Sequence, residues 1–163
     1  MGKKRLKKRW KFLLTVLISL ILIRLSLPYY VTFKLNQSLA EIGDYSGHVN
    51  DVDLHLFRGA YIIDSLRIDH VKNDIGTPFV VAPRIDLSLE WSALFNGRIV
   101  GEVIADNLVI NFFLSEEEEK NQTGTTENWV EVVESLLPIE INRFTVRNGN
   151  ITYGFVTGDF EQN

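Results

Sequence analysis

The stretch WKFLLTVLISLILIRLSLPYY, from Trp10 to Tyr30, carries only two charges, Lys11 and Arg24, and constrains this chain more than any other feature. As a helix, about 20 residues rising about 1.5 Å each cross a hydrocarbon core of about 30 Å. The segment 10–30 therefore reads as a single transmembrane helix. Trp10 at one end and Tyr29 and Tyr30 at the other fall where amphipathic rings settle at the headgroup level. Arg24 lies one turn ahead of Pro28, and its stem is long enough to carry the guanidinium to the outer interface, so it is read as tolerated rather than functional. A cleaved signal peptide has the same charged start and apolar centre. Against it, RLSLPYYVTF offers no small-x-small cleavage pair, and the expectation is an uncleaved anchor.

Charge then sets the orientation. Lys3, Lys4, Arg5, Lys7, Lys8, Arg9 and Lys11 crowd the start of the chain, whereas every Asp and Glu lies at Glu41 or later. By the positive-inside rule, residues 1–9 form a cytoplasmic tail and residues 31–163 lie on the far side of the membrane. Past Val31, nine basic residues face 21 acidic ones, a balance of −12 within an overall −4. Such a surface repels nucleic acid, which requires a cationic face to displace counterions from phosphate. There is no cysteine, so neither a disulfide framework nor a thiolate metal site is available. The 163 residues leave room for one span and one modest domain.

The exported part begins with TFKLNQSLAEIGDYSG, where Phe33, Leu35, Leu39 and Ile42 share one face, so a short helix should continue from the membrane. The period then changes to two. Val52, Leu54 and Leu56 alternate with Asp51, Asp53 and His55, and after Gly59 a returning strand with Leu66 and Ile68 completes a hairpin. In FVVAPRIDLSLEW a single face is expected to run from Phe79 through Val81, Pro83, Ile85, Leu87 and Leu89 to Trp91. Pro83 there marks either a sheet edge or a bulge. Ser92 to Phe95 read as a brief turn, followed by the reversal signal Asn96-Gly97. In RIVGEVIADNLVINFFL the apolar phase moves from Ile99 and Val103 to Leu108, Ile110 and Phe112, which implies a bulge or tight turn near Asp106 and Asn107. The run Glu116 to Glu119 reads as a solvated loop, not a calcium loop, because four consecutive carboxylates do not converge on one ion. Thr126 caps an amphipathic helix with Trp129, Val132, Val133, Leu136 and Leu137 on one face, ended by Pro138. Finally, IEINRFTVRNGNITYGFV predicts a type I′ hairpin around Asn148 and Gly149. The fold class expected is α+β and mostly β: a single N-terminal transmembrane helix followed by a curved, largely antiparallel sheet with two short helices.

This order of parts resembles the AsmA-like envelope proteins, in the subgroup whose defining domain carries no assigned function. The resemblance covers nearly the whole chain. It is carried by LPYYVTFKLNQSLA at the end of the anchor, GHVNDVDLHLFRGAYIIDSLRI, PFVVAPRIDLSLEWSALFNGRIVGEVIADNLVINF, and the helix leading into PIEINRFTVRNGNITY. It implies a bacterial inner-membrane anchor, a periplasmic body, and a curved β-sheet offering an apolar groove to phospholipid acyl chains, as in bridge-like lipid transfer proteins. The family pattern continues past Asn148 and Gly149, whereas this chain stops at DFEQN, so a partial protein is expected. About seven strands at roughly 4.8 Å make a sheet about 34 Å across, too short to bridge an envelope.

Catalytic chemistry finds little support. Asp51, Asp53 and His55 share a strand face and could offer ligands to a metal, but a wet strand face carries such residues routinely and no second cluster completes the set. His48 and His70 read as surface residues. There is no GxSxG elbow, HExxH pair or phosphate-cradling glycine loop, so neither an enzyme nor a cofactor is expected. The sequons at Asn36, Asn121 and Asn150 decide nothing. Two functions remain. One is lipid handling, with Ile85, Leu87, Leu89, Leu108, Ile110 and Phe112 facing a groove. The other is an anchored scaffold that binds a second envelope protein through an open strand edge.

Overall fold

A computed structural model describes residues 2–55, 58–72, 76–96, 100–129, 132 and 140–156, with side chains from Arg9 onward apart from 94 and 95. One helix, α1 (Gly2–Leu39), runs unbroken through Pro28 and is long and apolar enough to cross a membrane. The short helix expected after the span is thus the last part of α1. Its packed stripe is Val31, Leu35 and Leu39, one residue every turn or so, while Phe33, expected on that face, points away and is 65% exposed.

The strands are β1 (Tyr45–His48), β2 (Asp51–His55), β3 (Ala60–His70), β4 (Val80–Leu89), β5 (Val100–Asp106), β6 (Val109–Ser115), β7 (Glu140–Arg147) and β8 (Asn150–Val156), with a short helix α2 (Trp91–Phe95) after β4. The turn expected at 92–95 is therefore one helical turn. All eight segments form one mixed sheet, yet they are only five strands wide. β1 and β2 pair with β3 in a single register, from Tyr45↔His70 to His55↔Ala60. β5 and β6 likewise share one register against β4, with Arg84↔Asp106 followed by Val81↔Val109. β7 runs parallel to β5 and β8 parallel to β6; after a one-residue shift between Gly101 and Glu102 they keep one register, with Asp106↔Arg147 followed by Val109↔Asn150. The remaining pairings are antiparallel. Five strands at about 4.8 Å make a sheet about 24 Å wide, narrower than the seven expected.

The interruptions line up. Continuing each register through its gap sets Asn50 opposite Ser65, Ser65 opposite Pro83, Pro83 opposite Asn107 and Asn107 beside Asn148. Ser65, Asn107 and Asn148 have positive φ, at +57°, +55° and +52°. A residue outside the extended region shifts the in-out alternation by one position, so each strand changes phase at this crease. Ile63 then faces inward together with Leu66 and Ile68, Ile85 and Leu87 with Val80, and Val103 and Ala105 with Leu108 and Ile110. The backbone stays paired across the break, since Asn107 N–H donates to Arg147 O at 2.8 Å and Asn150 N–H to Leu108 O at 2.8 Å.

This geometry corrects the hairpin and the single face from Phe79 to Trp91, and decides against the edge alternative for Pro83. The residues around Asn148 and Gly149 do not reverse the chain: a type I′ turn needs two consecutive positive φ values, and only Asn148 has one. The segment creases and continues, so β7 and β8 pair with β5 and β6 and not with each other. Pro83 lies in a strand paired on both sides, and its missing donor is accommodated at the crease, not at a sheet edge. The phase change there also ends the single face expected from Phe79 to Trp91. The helix expected from Thr126 to Pro138 and the turn residue Gly97 lie largely outside the described residues.

Asn107→Val forces a β-branched residue into left-handed backbone. It is expected to destabilise the full chain in detergent micelles by about 1–2 kcal/mol in denaturant titration, whereas Asn107→Gly keeps the crease and the stability.

Candidate functional site

The crease turns one face of the sheet into a trough. On the outer face, Arg67 pairs with Asp69 at 2.7 Å, Arg84 with Asp86 at 3.1 Å and Arg143 with Glu102 at 3.1 Å, all solvated contacts of small energetic worth. The inner face holds an apolar cavity of about 230 Å³ whose 17 lining residues are all apolar. Over the first strands it is roofed by α1, whose Leu35 and Leu39 line it. Asn36 fixes that roof in place, because its Nδ2 donates to Val49 O at 3.0 Å and its Oδ1 accepts from Val49 N–H at 2.7 Å. The amide thus pairs with the edge backbone beside the crease as a neighbouring strand would.

The far end of the trough is stopped by aromatic rings. Tyr45 lies 4.9 Å from Phe79 and 5.2 Å from Trp129, and Phe79 lies 5.8 Å from Phe112. Hydrogen bonds hold the crossover segment against this cluster: Gly124 N–H donates to Tyr45 OH at 2.9 Å and Trp129 Nε1 to Gly124 O at 2.7 Å. Gln122 is fully buried and its Nε2 donates to Asn111 O at 2.7 Å. Burial is the main reason that the Tyr45 phenol titrates above its ordinary value.

Among the described residues, no such cover extends to the last strand. Ile141 and Phe144 line the cavity while remaining 38% and 57% exposed, and Ile151, Tyr153 and Phe155 are 69%, 71% and 62% exposed. Among the described residues the trough is therefore roofed on the α1 side and bare on the β7 and β8 side.

Among the six residues expected to face a groove, Ile85, Leu87, Leu108 and Ile110 line the cavity. Phe112 instead joins the aromatic stop against Phe79, and Leu89 lies half-buried at the end of β4, away from the cavity. Sequence reasoning missed the contributions of Leu35, Leu39 and Phe144. Their signals were the helical stripe and the alternation in RFTVR, obscured because the last strand was read as half of a hairpin. Arg24 donates to Leu54 O at 2.9 Å, tying the helix to β2. Asp51 and Asp53 are exposed, whereas the Nδ1 of His55 is buried without a hydrogen-bond partner. Among the described residues no three His, Cys, Asp or Glu gather as a metal site.

His70, expected at the surface, is only 6% exposed and stands edge-on to Tyr45 at 4.9 Å. Burial lowers its pKa, an effect opposed by Asp44 and reinforced by Lys72. The folded state thus favours the neutral ring, and the unfolded chain takes up the proton first as pH falls. Stability from this group is complete above pH 6.5 and is lost as pH drops through the lowered value. Melting between pH 7 and pH 5 should fall less steeply in His70→Gln than in the parent. Leu87→Ala, at a side chain 1% exposed, should cost about 2–5 kcal/mol by denaturant titration, and Leu89→Ala clearly less.

Comparison with family models, with curated proteins and with solved structures gives no match to this chain.

Proposed function

We propose that this chain is a membrane-anchored lipid-handling protein of the cell envelope, with α1 crossing the bilayer, the lysine-rich end in the cytosol and the sheet on the far side. The observation that carries the proposal is the trough: a cavity lined without a polar residue and, among the described residues, left uncovered along its last strand. An exposed apolar surface of this kind in a monomer marks an interaction site, and acyl chains match it in chemistry and shape. The likeness to AsmA-like envelope proteins supports the same reading and the assignment to a bacterial inner membrane and periplasm. The reading gives the chain no catalytic step and no cofactor.

A second reading is favoured by the outer edge of β7 and β8, which among the described residues pair on one side only and are largely exposed on both faces. Such an edge can accept a strand from another envelope protein. The edge near Pro83 has no part in this, since β4 is paired on both sides.

A photo-crosslinking side chain placed at Phe144 in cells should capture phospholipid, identified by mass spectrometry. Phe144→Asp should sharply reduce the lipid that co-purifies, while Thr145→Asp, one residue along and on the opposite face, should not. Capture of protein alone at 144, with a lipid-free preparation, would replace the first reading by the second.

A further inference from the structure

Three contacts calibrate the sheet against the helix. A Cβ on Gly47 would stand 3.3 Å from Leu39, Val49 is clasped by Asn36, and Leu54 O accepts from Arg24. β1 and β2 therefore run back alongside α1, toward its N-terminus, as far as Arg24. Leu27 and Pro28, just above that contact, are half-buried.

The opposite side of the same helical stretch is bare and apolar. Leu22, Leu25, Tyr29 and Phe33 follow one another at three- and four-residue steps and are 61%, 61%, 77% and 65% exposed. The polar side chains Lys34 and Gln37, which bond to each other at 3.1 Å, come only after Phe33. From Arg24 to Phe33 the helix rises about 13 Å, at about 1.5 Å per residue. Over that height one side is covered by the sheet while the other presents a surface suited to lipid and headgroups.

The part of the sheet at and below this height is its end nearest the helix start: the turn at Arg58 and Gly59, the end of β4, and α2. These are joined by Leu89 N–H donating to Gly59 O at 2.7 Å. Trp91 lies over Gly59, with ring atoms 3.0 Å from where a Cβ would stand, and is still 43% exposed. Tyr29, Tyr30 and Phe33 on the helix and Trp91 on the sheet are all exposed aromatic rings, with Trp91 nearest the helix start. The same end carries Glu90, bonded to Asn142 at 2.9 Å, and the Arg143–Glu102 pair. That mixture of rings and charges suits the headgroup layer and not the hydrocarbon interior.

We infer that the Trp91 end of the sheet is seated in the headgroup layer of the leaflet that α1 enters on the far side, so that the domain is held by immersion as well as by its anchor. The inference rests on α1 crossing the bilayer but not on lipid transfer, and the two can fail separately. When it holds, the trough rises from the headgroup layer, its lower end toward the membrane and its upper end at Leu35 and Leu39.

Because the chain has no cysteine, single substitutions place unique spin labels. The full chain is reconstituted in phosphatidylethanolamine and phosphatidylglycerol vesicles and labelled at Ser92→Cys in α2, at Arg58→Cys, at Leu22→Cys in the helix and at Lys72→Cys at the opposite end of the sheet. The readout is the ratio of collision with oxygen, which concentrates in the bilayer, to collision with a water-soluble nickel chelate. The ratio at positions 92 and 58 should rise above that at 72 toward that at 22. Ratios at 92 and 58 equal to that at 72, with 22 still lipid-like, would overturn the immersion and leave the lipid trough standing. A water-like ratio at 22 would remove the anchor and the immersion together.

Discussion

A strand alternates its side chains only while each residue stays extended, and Ser65, Asn107 and Asn148 leave that region at one height in three of the five strands. Much of the structure depends on this shared departure. If one strand changed phase alone, half of its apolar residues would face water; because the neighbours change together, one continuous apolar face survives the bend. Asn tolerates the left-handed region better than most residues, and two of the three crease positions use it. Pro83, which lacks the donor a central strand needs, falls on the same line, where the ladder is already interrupted.

The two sides of the sheet are finished differently. The first edge is covered by α1, the helix long and apolar enough to cross a membrane, which bonds to it through Asn36 and Arg24. The last edge carries no cover among the described residues, and its rings, Phe144, Tyr153 and Phe155, are open to solvent. Exposed edges with apolar flanks are ordinarily suppressed because they pair with other chains. Here the asymmetry separates a side tied to α1 from a side whose apolar residues remain exposed.

Much of the fold was legible because it rests on short-range periodicity. The apolar run at 10–30, the alternation in the first hairpin, and the phase change between Val103 and Leu108 each follow from residues a few positions apart. What escaped was set by pairing between distant segments. Asn-Gly at 148 and 149 has the composition of a tight turn, but whether one residue or two adopt positive φ depends on the strand beside it, and that strand is creased at Asn107. The cavity was legible in its sheet residues, four of which were identified by alternation. Leu89 and Phe112 were misplaced because alternation gives the face of a residue but not its height along the trough.

The parallel attachment of the final strand also bears on how the molecule assembles. The first four strands form a meander whose partners lie close in sequence, so they can pair as soon as they are synthesised. Joining Asp106 to Arg147 must instead close a long intervening loop, which delays contact and raises its entropic cost. During biogenesis, then, the nascent sheet waits with β5 and β6 as its temporary border, and the trough acquires the wall formed by β7 and β8 only when that later segment docks.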